Sequence, residues 1–326
     1  MNPCLAVRLS CKRVLETARH VRIDEAAVKV FAAQTDESMQ LKIKGVTWDG
    51  AGWHFCADAS AAGPLTCQYV FVLDALNWCF WPTEGLEYDN LATALKKVLE
   101  TDSAAFSGAR LSSLTLPQLL AWFPLHSLPE PEERLLRLHE LGSALEAHFG
   151  GLAENMVKTA GGSAVRLVSL VLQHLPGFRD ATIYNGRLVH FYKRAQILVG
   201  DVWAAYGKQQ AGVGASSSSP YCFSDIGELT MFADYRVPQL LRHFGVLEYD
   251  EKLSATVDGR LELPCGSPEE IEIRAATVIA VEQLRETLLE RGVSLLTIEV
   301  DWLLWQMGEE SKERIRPHHR TRTIFY

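Results

Sequence analysis

No stretch of this 326-residue chain is apolar enough to cross a bilayer. The most apolar run, 69–82, is broken by Asp74 and Asn77 and falls short of the roughly 20 residues a spanning helix needs. Only four consecutive apolar residues precede Arg8, too few for the core of a secretory signal. A cytoplasmic protein is expected. Cysteine is sparse and unpatterned. The seven, at 4, 11, 56, 67, 79, 222 and 265, form no C-x-x-C pair, which points to reduced thiols rather than a disulfide framework or a zinc site. Positive charge is in deficit: 32 Lys and Arg against 40 Asp and Glu leave a net charge of −8. That argues against a protein that coats DNA or RNA through many phosphate contacts, while one phosphorylated small molecule needs only a local basic cluster. The motifs G-x-x-x-x-G-K-S/T, G-x-G-x-x-G, H-E-x-x-H and G-x-S-x-G are missing. His318 and His319 have no acid or cysteine at ligand spacing. Neither a metal nor a cofactor is expected.

What is present is ordinary globular composition, 48% hydrophobic and 22% charged, which excludes collagen-like and largely disordered chains. Helical periodicity dominates. Helices are expected over 24–33, 90–99, 115–123, 129–149, 163–174, 191–206, 224–233, 238–244, 269–291 and 295–307. Gly150-Gly151 and Pro176-Gly177 supply the stops of two of them. The run 70–81 reads equally as strand or buried helix. The β-branched residues and D-G pair of 42–56 suggest a small hairpin near the N-terminus. The one low-complexity segment, 207–220, holds Ser216 to Ser219 and reads as a flexible surface loop. No break in composition marks a boundary, so residues 1–326 are expected to form a single compact, mainly α domain.

Acids sit where a core should be. Asp74 lies between Val70, Phe71 and Asn77, Trp78. Asp201 lies between Ile197, Leu198 and Ala204, Ala205. Asp301 has Ile298 before it and Leu304 and Trp305 after it. Residues three and four apart share a helix face, so each carboxylate points inward if its segment is helical. Burying an ionised acid is costly unless it is paired. One such acid ordinarily caps a helix or meets an arginine; three together suggest a polar pocket. Asp234, in TMFADYRVPQLL, falls between the helix expected to end near Ala233 and the one opening at Pro238. It reads as a cap of the second helix or as a carboxylate fixed on a cleft. Lys193, Ile197 and Asp201 follow i, i+4, i+8 spacing and could line one groove. Arg194, Arg236 and the basic tail RIRPHHRTRTIFY are further sources of positive charge.

At these residues a family emerges. YVFVLDALNWCFWP (69–82), FYKRAQILVGDVW (191–203), LTMFADYRVPQLL (229–241), EEIEIRA (269–275) and HHRTRTIFY (318–326) resemble the queuosine salvage protein family of queuosine 5′-phosphate N-glycosylase/hydrolases. The blocks spread over residues 20–326. TEGLEYDN after Pro82 is shorter than is usual there, and the serine-rich loop looks like an insertion. The resemblance implies a mainly helical fold related to DNA glycosylases. It implies hydrolysis of queuosine 5′-monophosphate to release queuine for tRNA modification. A monomer acting on this small molecule is expected, and the acidic charge balance argues against polymeric nucleic acid. It makes Asp234 the catalytic aspartate and puts Lys193 near the phosphate. Asn77, Asp201, Tyr235 and Asp301 fall in or near the pocket.

The chemistry is compatible with these residues. Ribosyl C–N cleavage passes through an oxocarbenium-like state that a fixed carboxylate stabilises. A 7-deazaguanine has no N7 to protonate, so help to the leaving group must come from other base edges. Trp78, Phe80, Trp81 and Tyr235 could stack on the base, with core packing the alternative for Trp78 and Phe80. Two other readings stay open: a glycosylase acting on a base within nucleic acid, and a non-catalytic queuine or nucleotide binder.

Overall fold

The computed structural model describes residues 2–35, 45, 47, 48, 50–57, 63–207 and 219–326. The fold is mainly α, 58% helical, with 14 helices among the described residues. The chain opens with α1 (Pro3–Leu15), β1 (Val21–Ile23) and α2 (Glu25–Gln34). A run of helices follows: α3 (Gly63–Leu76), α4 (Tyr88–Thr101), α5 (Gly108–Ser112), α6 (Leu116–Ala121), α7 (Pro131–Phe149), α8 (Ala153–Ala160) and α9 (Ala164–His174). The hairpin of β2 (Ala181–Tyr184) and β3 (Arg187–His190) leads into α10 (Lys193–Val202). Then come α11 (Arg236–His243), β4 (Leu247–Tyr249), α12 (Glu251–Asp258), α13 (Pro268–Glu290) and α14 (Thr297–Ser311).

Local chemistry sets most of these boundaries. Asn2, Asp24, Ser163, Asp250 and Ser267 each accept a first-turn amide and start α1, α2, α9, α12 and α13. Gly150, at φ 58°, closes α7 in the left-handed conformation that favours glycine. The run 70–81 resolves as the buried helix α3 followed by a turn. The first helix, α1, lies outside every expected span; its Val7, Cys11 and Val14 are buried, and it packs on α13.

Two expectations are corrected. The described residues of 42–56 form turns and no strand, and residues 42–44, 46 and 49 lie outside the described residues. The β structure is instead β1 paired antiparallel with β4, and the β2–β3 hairpin across Asn185-Gly186. Both turn residues have positive φ, 48° and 74°, the signature of an N-G hairpin turn. The second correction is 224–233, which holds only a short 3-10 turn, Ile226–Glu228, before an extended, buried stretch. Its polar groups are engaged from outside. Asp225 accepts from Ser163 Oγ and Ala164 N at the start of α9. Thr230 N donates to Gln196 Oε1, Phe232 N donates to Asp301 Oδ1, and Ala233 O accepts from Arg274 Nε. Tertiary partners replace the helical ladder. Of the serine-rich loop, 208–218 lies outside the described residues.

Two apolar clusters form the interior. One gathers α3 to α9 with most of α10; the other gathers α1, α2, α11, α13 and most of α14. Phe232 and Ile298 belong to the first, Ala233 and Val300 to the second. The extended stretch and α14 therefore run along the boundary between clusters, and that is where the acids gather.

Candidate active site

A cavity of about 510 Å³ opens at this boundary. Its wall includes Asn77, Lys193, Asp201, Asp234, Tyr235 and Asp301, all six residues singled out in the sequence. They arrive on four separate segments. Asn77 follows the last turn of α3; Lys193 and Asp201 lie on one face of α10, with Ile197 of the same spacing also in the wall. Asp234 and Tyr235 end the extended stretch, and Asp301 projects from α14.

Asp234 does what both sequence readings asked of it. Its Oδ1 accepts from Arg236 N at 3.0 Å and Val237 N at 3.1 Å, capping α11. No hydrogen bond engages Oδ2 within the described residues. The helix starts at Arg236, so Pro238 occupies the first turn, where its missing N–H costs nothing. Burial raises the Asp234 carboxyl above the ordinary aspartate value, against the pull of Lys193 and the two amides.

Lys193 is 5% exposed, and its ammonium donates to Asn77 O at 3.3 Å. Burial lowers its pKa, while Asp234, Asp74 and Asp301 raise it. It is the only lysine or arginine among the described residues of the cavity wall. Burial raises the acids around it above the ordinary carboxylate range. Burial, then Asp74, drives Asp201 well above the ordinary range; burial, then Asp234, does the same for Asp301. Asp74, behind the wall, is pushed by burial up to about 7. Its Oδ1 accepts from Asn77 Nδ2 at 3.2 Å and fixes that amide. The Oδ2 atoms of Asp74 and of Asp201 are buried without a partner among the described residues.

The turn that carries Asn77 is clamped by two arginines. Arg134, fully buried, donates to the carbonyls of Leu76, Trp78, Cys79 and Pro129 and lies 4.0 Å from the Trp78 ring centroid. Arg194 donates to Asp74 O, Ala75 O and Gly177 O. Both guanidinia meet the carbonyl end of α3, where a helix favours cations. Arg194 is thus a structural clamp. Arg236 is likewise committed, to Glu309, Glu87 and Gln239. The C-terminal basic residues also stay out of the cavity wall: Arg322 pairs with Glu130 and Glu262, and Arg316 with Asp258. His318 stacks on Tyr235 at 4.4 Å from outside the wall, while Tyr326 reaches it.

Aromatic residues complete the site. Trp78 and Phe80 line the cavity as one sequence alternative allowed; Trp81 does not, and its indole donates to Thr321 O. The sequence reading missed Trp48, Trp53, His54, Tyr88, Trp302 and Trp305, which also line it. His54 stacks on Trp48 at 3.9 Å, bonds Tyr88 Oη at 2.9 Å, and is kept neutral by burial, its pKa lowered to about 4. Trp305 falls at i+4 from Asp301, a spacing that could have flagged it; Trp302, at i+1, has no such signal. Nothing in the sequence links residues 48–54 to the site.

An acid-floored, aromatic-walled cavity with one lysine suits a flat heterocycle joined to a sugar. Comparisons with known proteins agree with that shape. The family model for the queuosine salvage protein matches residues 57–326. A Dictyostelium discoideum protein named queuosine 5′-phosphate N-glycosylase/hydrolase is 39% identical over the whole of both chains. A protein of the same name from Sphaerobacter thermophilus is 40% identical over 99% of this chain and 98% of its own. One from Mus musculus is 32% identical over the full length of both. With the family model covering every residue of the site from Asn77 to Tyr326, this chain belongs to the queuosine salvage protein family.

Proposed function

We propose that this protein hydrolyses the N-glycosidic bond of queuosine 5′-monophosphate and releases queuine. The observation that carries the reading is Asp234, anchored through Oδ1 with Oδ2 unengaged on the cavity wall beside the buried ammonium of Lys193. In the reaction the C1′–N bond breaks, water supplies hydroxide to C1′, and its proton ends on the departing base. Asp234 faces the cationic ribosyl centre and stabilises it or accepts the proton of the incoming water. Lys193 favours the ionised form of Asp234 against the effect of burial and is the candidate for contact with the 5′-phosphate. Burial raises Asp201 and Asp301 well above the ordinary range, which favours their neutral forms and lessens the negative charge a phosphate meets. Asn77, fixed by Asp74, offers its amide to a base edge. Tyr235 and the tryptophans offer π faces to the ring.

We read residues 1–326 as one glycosylase-like domain, since both apolar clusters contribute to the cavity. Seven free cysteines fit a reducing, cytoplasmic setting, and no helix among the described residues is long and apolar enough to cross a membrane. A monomer acting on a free nucleotide fits a site built within one chain. Glu87 and Glu309 at the cavity edge tie up Arg236 and Lys312, which disfavours a polynucleotide. Incubation with queuosine 5′-monophosphate should give free queuine by mass spectrometry. Binding without release would leave a carrier instead, and steeply salt-dependent oligonucleotide binding would revive the nucleic-acid reading.

A further inference from the structure

Behind the cavity, outside its wall, a buried ion pair joins the two segments that carry Lys193 and Asp234. Asp180 lies just before β2, and Arg274 stands within α13. Their contact is bidentate, at 2.9 Å and 2.6 Å, the planar match that arginine makes with a carboxylate. Each partner keeps one further bond for a backbone. Asp180 Oδ2 accepts from Lys193 N at 3.2 Å, at the first turn of α10, where a helix favours an anion. Arg274 Nε donates to Ala233 O at 3.1 Å, one residue before Asp234. The carbonyl of Asp180 also accepts from Phe191 N and Tyr192 N. Tyr192 is held there at φ 51°, a left-handed value uncommon for any residue but glycine. Such strain persists where the surroundings over-determine it.

An apolar pair could fill this space without the cost of burying two charges. It could not hold a backbone amide on one side and a backbone carbonyl on the other. Resting on the N-glycosylase reading above, we propose that Asp180 and Arg274 are positioning residues, a strut that sets the separation of the Lys193 ammonium from the Asp234 carboxylate. The strut also reaches a third part of the wall. Arg274 lies 4.3 Å from the Tyr326 ring centroid, and Glu270, 3.6 Å from Arg274, accepts from Tyr326 Oη. The Asp234 carboxyl answers to burial, to Lys193 of α10, to Arg236 of α11 and to two amides, and Asp301 of α14 faces it as well. Arg274 is bonded to the residue before it and acts on it through the backbone.

The test is the pH profile of kcat for queuine release by the full chain. Arg274→Lys keeps the charge but lacks the fork that serves Asp180 and Ala233 O together. It should lower kcat at least about tenfold and move the acid limb to higher pH, because a displaced Lys193 does less to favour ionised Asp234. The double variant Asp180→Asn/Arg274→Gln leaves neither charge buried alone, so it guards against a single variant that does not fold. It should show the same shift of the limb. Leu253→Ala, at a buried position of α12 away from the wall, is the destabilised control, and its limb should stay in place. An unmoved limb in folded Arg274→Lys or in the folded double variant overturns the proposal, whatever happens to kcat. Failure of the N-glycosylase reading is seen separately, as the absence of queuine release from queuosine 5′-monophosphate by wild type.

Discussion

The carboxyl group of Asp234 is divided between two tasks. Oδ1 takes the first amides of α11, which fixes the orientation of the group; Oδ2, unengaged among the described residues, is the oxygen the proposed reaction would use. Asp234→Asn can keep an oxygen for the cap while losing the charge. It should therefore retain the wild-type melting temperature to within about 1 kcal/mol of stability and lose queuine release by about 10²-fold or more. Near-normal turnover in that variant would remove Asp234 from the reaction. Lys193 lowers the pKa of Asp234 against the rise that burial causes. With ionised Asp234 as the proposed working form, activity should be lost as pH falls, and the raised pKa should place this acid limb above the ordinary aspartate range. Lys193→Met should move the limb to still higher pH in a kcat profile. It should also weaken queuosine 5′-monophosphate far more than unphosphorylated queuosine. An unmoved limb would separate the two side chains electrostatically, and equal losses on the two substrates would remove Lys193 from the phosphate.

At the scale of elements, the site depends on how segments are held rather than on what they would do alone. The extended stretch before Asp234 has helical residue spacing, yet Gln196, Asp301 and Arg274 capture its backbone. Gln196 and Arg274 lie in blocks that carry the family resemblance, and Asp301 lies between two of them. The end of α3 is held by Arg134, whose removal would leave the carbonyls of Leu76, Trp78, Cys79 and Pro129 short of a donor. At about 1 kcal/mol or more per buried carbonyl, Arg134→Met should cost at least about 3 kcal/mol in denaturant unfolding. Lysine should restore only part of this, because it lacks the planar fork. Gly308 is a closer constraint. A Cβ there would come within 2.8 Å of Arg236 Cγ, so Gly308→Ala should disturb the Arg236–Glu309 pair and the contact of α11 with α14. It is expected to raise KM, measured by queuine release, while an unchanged KM would show that Arg236 yields without moving Tyr235.

For the whole molecule, the buried acids give stability a definite pH dependence. Asp74 has its folded pKa raised to about 7 by burial, above its value in the unfolded chain. Between those two values the folded protein binds the proton and the unfolded chain does not, so stability falls as pH rises through the window. Asp74 alone gives a slope of up to about 1.4 kcal/mol per pH unit there, and Asp201 and Asp301 act in the same direction. Thermal unfolding should show a higher midpoint near pH 5 than near pH 8, and Asp74→Asn should flatten the difference. A midpoint that climbs with pH would mean that these groups are ionised at no cost.

Much of the site was legible in the sequence because periodicity is a local property. An acid within an apolar helical run must point inward, so Asp74, Asp201 and Asp301 announced themselves, and the spacing of Lys193 and Asp201 placed both on one face. The sequence also determined the caps, the stops and the mainly helical class, since these follow from side chains acting on their own backbone. Tertiary structure decided the remainder. It drew 229–234 out into an extended segment, assigned Arg194 and Arg236 to carbonyls and carboxylates rather than to a ligand, and brought Trp48, Trp53 and Tyr88 to the wall. Those outcomes depend on partners far away in the chain, whose hydrogen bonds and burial outweigh local propensity by more than any neighbouring residue can signal.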